Sequence, residues 1–136
     1  MKYFDELKRA MSFLVEHPKT VFIGQAVEYG GTGLYDSLSH LPLNKRIELP
    51  VAEYLQSGLA NGMTIEGLIP VSTYPRWNFL LLAANQVVNH LDKMKIMSGG
   101  GFTPKVIISH YKVGANSQDI ANNYMKLYTE AQWRNV

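Results

Sequence analysis

Apolar positions along this chain switch repeatedly between a helical period and short extended runs. Phe4, Leu7, Met11 and Leu14 recur at spacings of three and four, which predicts an amphipathic helix from Tyr3 to Glu16 ended by His17-Pro18. "TVFIG" is a β-branched and aromatic run closed by glycine and reads as a buried strand. The loop "QAVEYGGTG" follows, then a short helix through Tyr35 and Leu38, a short strand in "RIELP", and a helix from Ala52 to about Asn61. "GLIPVSTY" holds the next strand. Asn78 to Met94 predicts a longer helix with Phe79, Leu82, Ala83, Val87 and Leu91 toward the core, stopped by "SGGG" before a strand in "KVIIS". The tail from Ser117 to Trp133 reads as helical. Strands alternating with helices predict a mostly parallel sheet covered on both faces, a three-layer α/β/α sandwich.

Length and composition narrow the function classes. At 136 residues, 46% apolar and 18% charged, the chain is expected to form one globular domain, residues 1–136, with 110–136 as an atypical tail. A net charge of +2 without a basic stripe argues against a nucleic-acid partner. The longest apolar run, Phe79 to Ala84, is far short of the ~20 residues of a membrane-spanning helix, so no membrane partner is expected. The first residues, "MKYFDELKRAM", mix charges through their apolar positions, unlike a signal peptide, and a cytoplasmic location is the expectation. Without cysteine there is neither disulfide nor thiolate chemistry.

Few residues offer chemistry. "GGTG" at Gly30 to Gly33 lies between a strand and a helix but fits no phosphate-loop pattern, and a plain turn is the better reading. His17, His40, His90 and His110 lack metal spacing and recognisable nucleophile partners, so no metal ligands are assigned. Glu53 stands out as a single carboxylate in the apolar stretch "IELPVAEYLQSGLANGM". One reading is a helix start, since Pro50 precedes it and an acid in the first turn suits the helix dipole. The other is a site, because Gly58, Ala60 and Gly62 on the same helix suit a close approach.

From about Val21 to Ile108 the chain resembles the pyrimidine-binding domain of transketolase-like thiamine diphosphate enzymes, above all the beta subunits of the 2-oxo acid dehydrogenases of pyruvate dehydrogenase type. The resemblance is carried by "YGG" at Tyr29 to Gly31, "RIELPVAEYLQSGLANGM", "EGLIPV", "NFLLLAANQVVN" and "MSGG". It implies the thiamine diphosphate-binding fold, an oxidoreductase setting, and thiamine diphosphate as cofactor with magnesium held by a partner chain. It also implies roles for two residues. Glu53 would hydrogen-bond the pyrimidine ring nitrogen and favour the imino tautomer that removes the thiazolium proton, which makes it the catalytic candidate. Phe79 would lie against the pyrimidine face, while Tyr74 and Trp77 suit the core or an interface better.

The chain also departs from that family. Gln25 and Ala26 replace acidic residues, Ser109 stands where an arginine is common, and Asn116 occupies the position of a histidine that serves the substrate; an asparagine cannot shuttle protons. The family continues into a second domain, so the chain reads as truncated, and it lacks the "G-D-G" and asparagine that bind magnesium and diphosphate. Two functions follow. One is the pyrimidine-side half of a cofactor site, acting with a partner subunit that carries the diphosphate-binding domain, or as a homo-oligomer, in 2-oxo acid decarboxylation or two-carbon transfer. The other is a non-catalytic interaction or regulatory module that retains the fold.

Overall fold

The computed structural model describes residues 3–112. Helix α1 (Tyr3–Val15) places Leu7 and Met11 in the core and carries Asp5 and Glu6 in its first turn, where the helix dipole favours them. Strand β1 (Thr20–Gly24) follows. Helix α2 (Gly33–Leu38) is capped by Thr32, whose hydroxyl accepts the Tyr35 N–H at 3.1 Å. A short 3₁₀ turn leads into β2 (Arg46–Glu48), then α3 (Glu53–Ile65) and β3 (Ile69–Arg76). After an irregular helical stretch comes β4 (Ile107–Lys112).

All four strands are parallel, in the order β2-β1-β3-β4. Phe22 and Val71 are register partners and join Leu7, Met11, Leu34 and Leu38 in one apolar cluster, so α1 and α2 cover that face. Side chains alternate along a strand, so Ser72 and Tyr74 point the other way, toward α3 and a second cluster of Leu80, Ala83 and Val87. This is the expected three-layer α/β/α arrangement. The chain leaves β1 for β2 on one side and returns to β3 on the other, which makes the boundary between β1 and β3 a topological switch point. Ligands of open α/β sheets bind at the carboxyl ends of such strands.

The long helix expected from Asn78 to Met94 is broken. A 3₁₀ turn (Trp77–Ala83), a π turn (Gln86–His90), a second 3₁₀ turn (Leu91–Lys93) and helix α4 (Met94–Met97) take its place. In 3₁₀ geometry residues three apart share a face. Leu80 and Ala83 therefore point inward, and Leu82, expected in the core, is 62% exposed. The glycine stop is as expected. Gly99 and Gly100 take positive φ (62° and 83°), and the Gly100 N–H closes on the Lys95 carbonyl at 2.8 Å. Helix α3 runs about one turn past its expected end. The helix expected over Ser117 to Trp133, and Asn116, lie outside the described residues.

Candidate functional site

The carboxyl edge of the sheet is built around a close strand contact. Gly24, the last residue of β1, is the register partner of Thr73 on β3. A Cβ on Gly24 would lie 2.5 Å from the Thr73 carbonyl oxygen and 2.7 Å from its hydroxyl. Glycine is what lets the two strands and the first turn of α3 converge here.

Helix α3 docks on that edge through polar groups. The Gln56 Nε2 donates to Ser72 Oγ and to the Thr73 carbonyl, both at 2.9 Å. Ser57 Oγ and the Tyr74 hydroxyl are 2.6 Å apart, and Ser72 Oγ donates to the same hydroxyl at 3.3 Å. One turn further along, Asn61 Nδ2 donates to the Gln86 carbonyl at 3.0 Å. A buried polar seam of this kind is stable only when its members find partners. Burial, then hydrogen bonding that partly offsets it, leaves the Tyr74 phenol with a raised pKa, and the nearby negative charge of Glu53 pushes in the same direction.

Glu53 opens α3 and is the acid of its first turn; Ala52, at the N-cap, makes no side-chain cap bond. The helix-start reading of Glu53 is thus correct as local structure. Glu53 is 6% exposed, and its side chain makes no hydrogen bond or ion pair among the described residues. A carboxyl on a mostly buried residue that no described side chain or backbone group engages is available to a ligand at the helix tip. Phe79 lies half-buried on the 3₁₀ turn that packs against α3, its ring against the second core cluster. Tyr74 is core, as expected, and Trp77 meets the ring of His110 edge-on with centroids 5.2 Å apart.

A second carboxylate has a role that the sequence does not signal. Glu48, at the end of β2, accepts the backbone N–H groups of Ala26, Val27 and Glu28 at 2.6, 2.7 and 2.8 Å. Ala26 is held at a φ of 57°, a conformation that residues other than glycine and asparagine seldom take. Arg46 Nη1 donates to the Val27 carbonyl at 2.9 Å. Glu48 is therefore spent on shaping the loop after β1, whereas the Glu53 side chain makes no hydrogen bond or ion pair among the described residues. A Cβ on Gly58 would make only ordinary contact with Gln86, and one on Gly62 would meet nothing within 4 Å.

The chain is 35% identical over 109 residues to the pyruvate dehydrogenase E1 component subunit beta of Porphyra purpurea, covering 77% of this chain and 33% of the relative. It is 33% identical over 109 residues to that of Gracilaria tenuistipitata var. liui, again 77% of this chain and 34% of the relative. With the mitochondrial subunit beta of Saccharomyces cerevisiae it shares 33% identity over 103 residues, 71% of this chain and 27% of the relative. The chain is a relative of the pyruvate dehydrogenase E1 beta subunits. It spans about a third of the length of these curated relatives. No family model matches it.

The donor set can be tested against the cofactor that the resemblance implies. A carboxyl at the tip of α3 with no hydrogen bond or ion pair among the described residues, and a half-buried aromatic ring on the adjoining turn, suit an aminopyrimidine. Among the described residues no group of three or more histidines and carboxylates could hold a metal ion. The residues present fit the pyrimidine half of thiamine diphosphate.

Proposed function

We propose that this chain supplies the pyrimidine side of a thiamine diphosphate site and works with a partner subunit that carries the diphosphate-binding domain and its magnesium. The reaction is decarboxylation of a 2-oxo acid or transfer of a two-carbon unit, within an oxidoreductase complex of pyruvate dehydrogenase type. Bound thiamine diphosphate supplies a carbon nucleophile for 2-oxo acids. Glu53 hydrogen-bonds the pyrimidine ring nitrogen and holds or releases a proton at its carboxyl oxygen. Gln56 and Ser57, tied to β3, fix the first turn of α3 and with it the position of Glu53. Phe79 offers its ring to the flat face of the cofactor.

The observation that carries this reading is the place of Glu53, a mostly buried acid at the tip of α3 beside the carboxyl edge of the sheet, whose side chain makes no hydrogen bond or ion pair among the described residues. A partner subunit is further supported by the outer face of α3. That helix turns Glu53, Gln56, Ser57, Asn61 and Thr64 inward and leaves Tyr54, Leu55, Leu59 and Ile65 exposed, the reverse of a solvent-facing helix. By itself that face suits a non-catalytic interaction module equally well.

The two functions separate on Glu53→Gln. The chain is mixed with the candidate partner, magnesium and thiamine diphosphate, and exchange of the thiazolium proton for deuterium is followed. Loss of the proton-handling carboxyl is expected to slow exchange by about a hundredfold. Stability is expected to fall by at most about 1 kcal/mol, the worth of the helix-dipole interaction. Exchange at the rate of free cofactor in both mixtures would show that the chain is an interaction module.

A further inference from the structure

The opposite, amino edge of the sheet holds a cleft of about 420 Å³, within the usual size of small-molecule sites. Three chain segments form it: the turn from α1 into β1, the turn from α3 into β3, and the approach to β4. These segments are tied together. The Ile69 N–H donates to the Lys19 carbonyl at 2.9 Å, and the Lys105 N–H to the buried Thr64 hydroxyl at 2.7 Å. The cleft is thus held by the fold and does not depend on side chains meeting by chance.

Its charge is one-sided. His17, Lys19 and Lys105 line it, and among the described residues no carboxylate does. The ion pairs among the described residues are Arg9 with Glu6 and Lys93 with Asp92, so neither cleft lysine is spent on a salt bridge to a described carboxylate. The Nδ1 of His17 accepts the Lys19 N–H at 3.2 Å, which leaves Nε2 as the protonated nitrogen of the neutral ring, a donor. Leu68 and Phe102 supply apolar surface in the same cleft. Two ammonium groups and an imidazole N–H beside an apolar wall match a doubly charged anion joined to an apolar body.

We propose that this cleft binds a small phosphate monoester, its phosphate between Lys19 and Lys105 and its apolar group on Phe102 and Leu68. The site is independent of Glu53 and of any thiamine diphosphate chemistry. The test is an NMR titration of the full chain with phenyl phosphate, inorganic phosphate and phenol. Phenyl phosphate is expected to shift the amides of Lys19, Gly67 and Lys105 saturably, and to bind about fivefold more tightly than inorganic phosphate through burial of its ring. Lys19→Ala with Lys105→Ala removes two exposed side chains, leaves the backbone bonds in place, and is expected to weaken phenyl phosphate about tenfold or more. Phe102→Ala is expected to abolish the preference for phenyl phosphate while inorganic phosphate binds as before. The proposal is overturned if these amides do not shift, if phenol binds as well as phenyl phosphate, or if the double lysine variant binds like the wild type.

Discussion

Replacing Gly24 with alanine is the most direct test of how the carboxyl edge is built. The new methyl would stand 2.5 Å from the Thr73 carbonyl oxygen, 2.7 Å from the Thr73 hydroxyl and 3.4 Å from Gln56 Nε2. The first of these belongs to the backbone of a central strand and cannot swing away, so β1 and β3 must separate where α3 is seated. Overpacking of a tight site costs about 1–3 kcal/mol, and a backbone contact this short puts Gly24→Ala at the upper end. With a urea slope of about 1.5 kcal/mol/M, a loss of about 3 kcal/mol lowers the unfolding midpoint by about 2 M. Gly62→Ala is the internal control. Nothing lies within 4 Å of its added methyl, and alanine is the better helix former by up to about 1 kcal/mol, so its midpoint is expected to rise. A Gly24→Ala midpoint within about 0.5 M of the wild type would refute the close-approach argument.

Glu48→Ala is expected to release the loop after β1, because three backbone N–H groups lose a charged acceptor. Hydrogen exchange at Ala26, Val27 and Glu28 should accelerate, with a stability loss of about 3 kcal/mol, and unchanged exchange would contradict the role given to Glu48. Stability is also expected to fall with pH through His110, whose ring lies between Tyr3 and Trp77 and whose pKa burial lowers from 6.5. The unfolded chain then takes up its proton first, so the His110 contribution is complete above pH 6.5 and is lost as pH falls from there through the folded pKa. His40, lowered mainly by burial, acts in the same sense, so the measurement is the difference in urea midpoint between His110→Phe and wild type across that window, each in a His40→Gln background. An equal pH dependence in the two chains would exclude the His110 contribution.

Elements with a single strong period were legible in the sequence. The α1 stripe and the β-branched run of β1 fixed both elements, and Gly99 and Gly100 marked the stop they provide. The stretch after Trp77 is not legible in the sequence, because a helical period of 3.6 and a 3₁₀ period of 3 differ little over two turns, and only the structure shows Leu80 inward and Leu82 outward. Glu53 could be singled out because its neighbours are apolar. Glu48 could not, since its partners are backbone N–H groups some twenty residues earlier, and backbone donors leave no trace in residue type. The inward face of α3 did leave a signal: Glu53, Gln56, Ser57, Ala60, Asn61 and Thr64 recur at helical spacing. Expecting apolar groups to face the core hides such a stripe.

The polar seam under α3 has a mechanical consequence. A helix docked through aliphatic side chains can slide along or roll on its sheet at modest cost, since one greasy contact replaces another. A helix docked through Gln56, Ser57 and Asn61 has discrete partners at fixed heights, and any displacement breaks several hydrogen bonds together. Slippage by a single turn would carry Glu53 about 5.4 Å, farther than any hydrogen bond can stretch. The seam works as an indexing pin, converting side-chain hydrogen bonds remote from solvent into the positional tolerance of one carboxyl group at the helix tip.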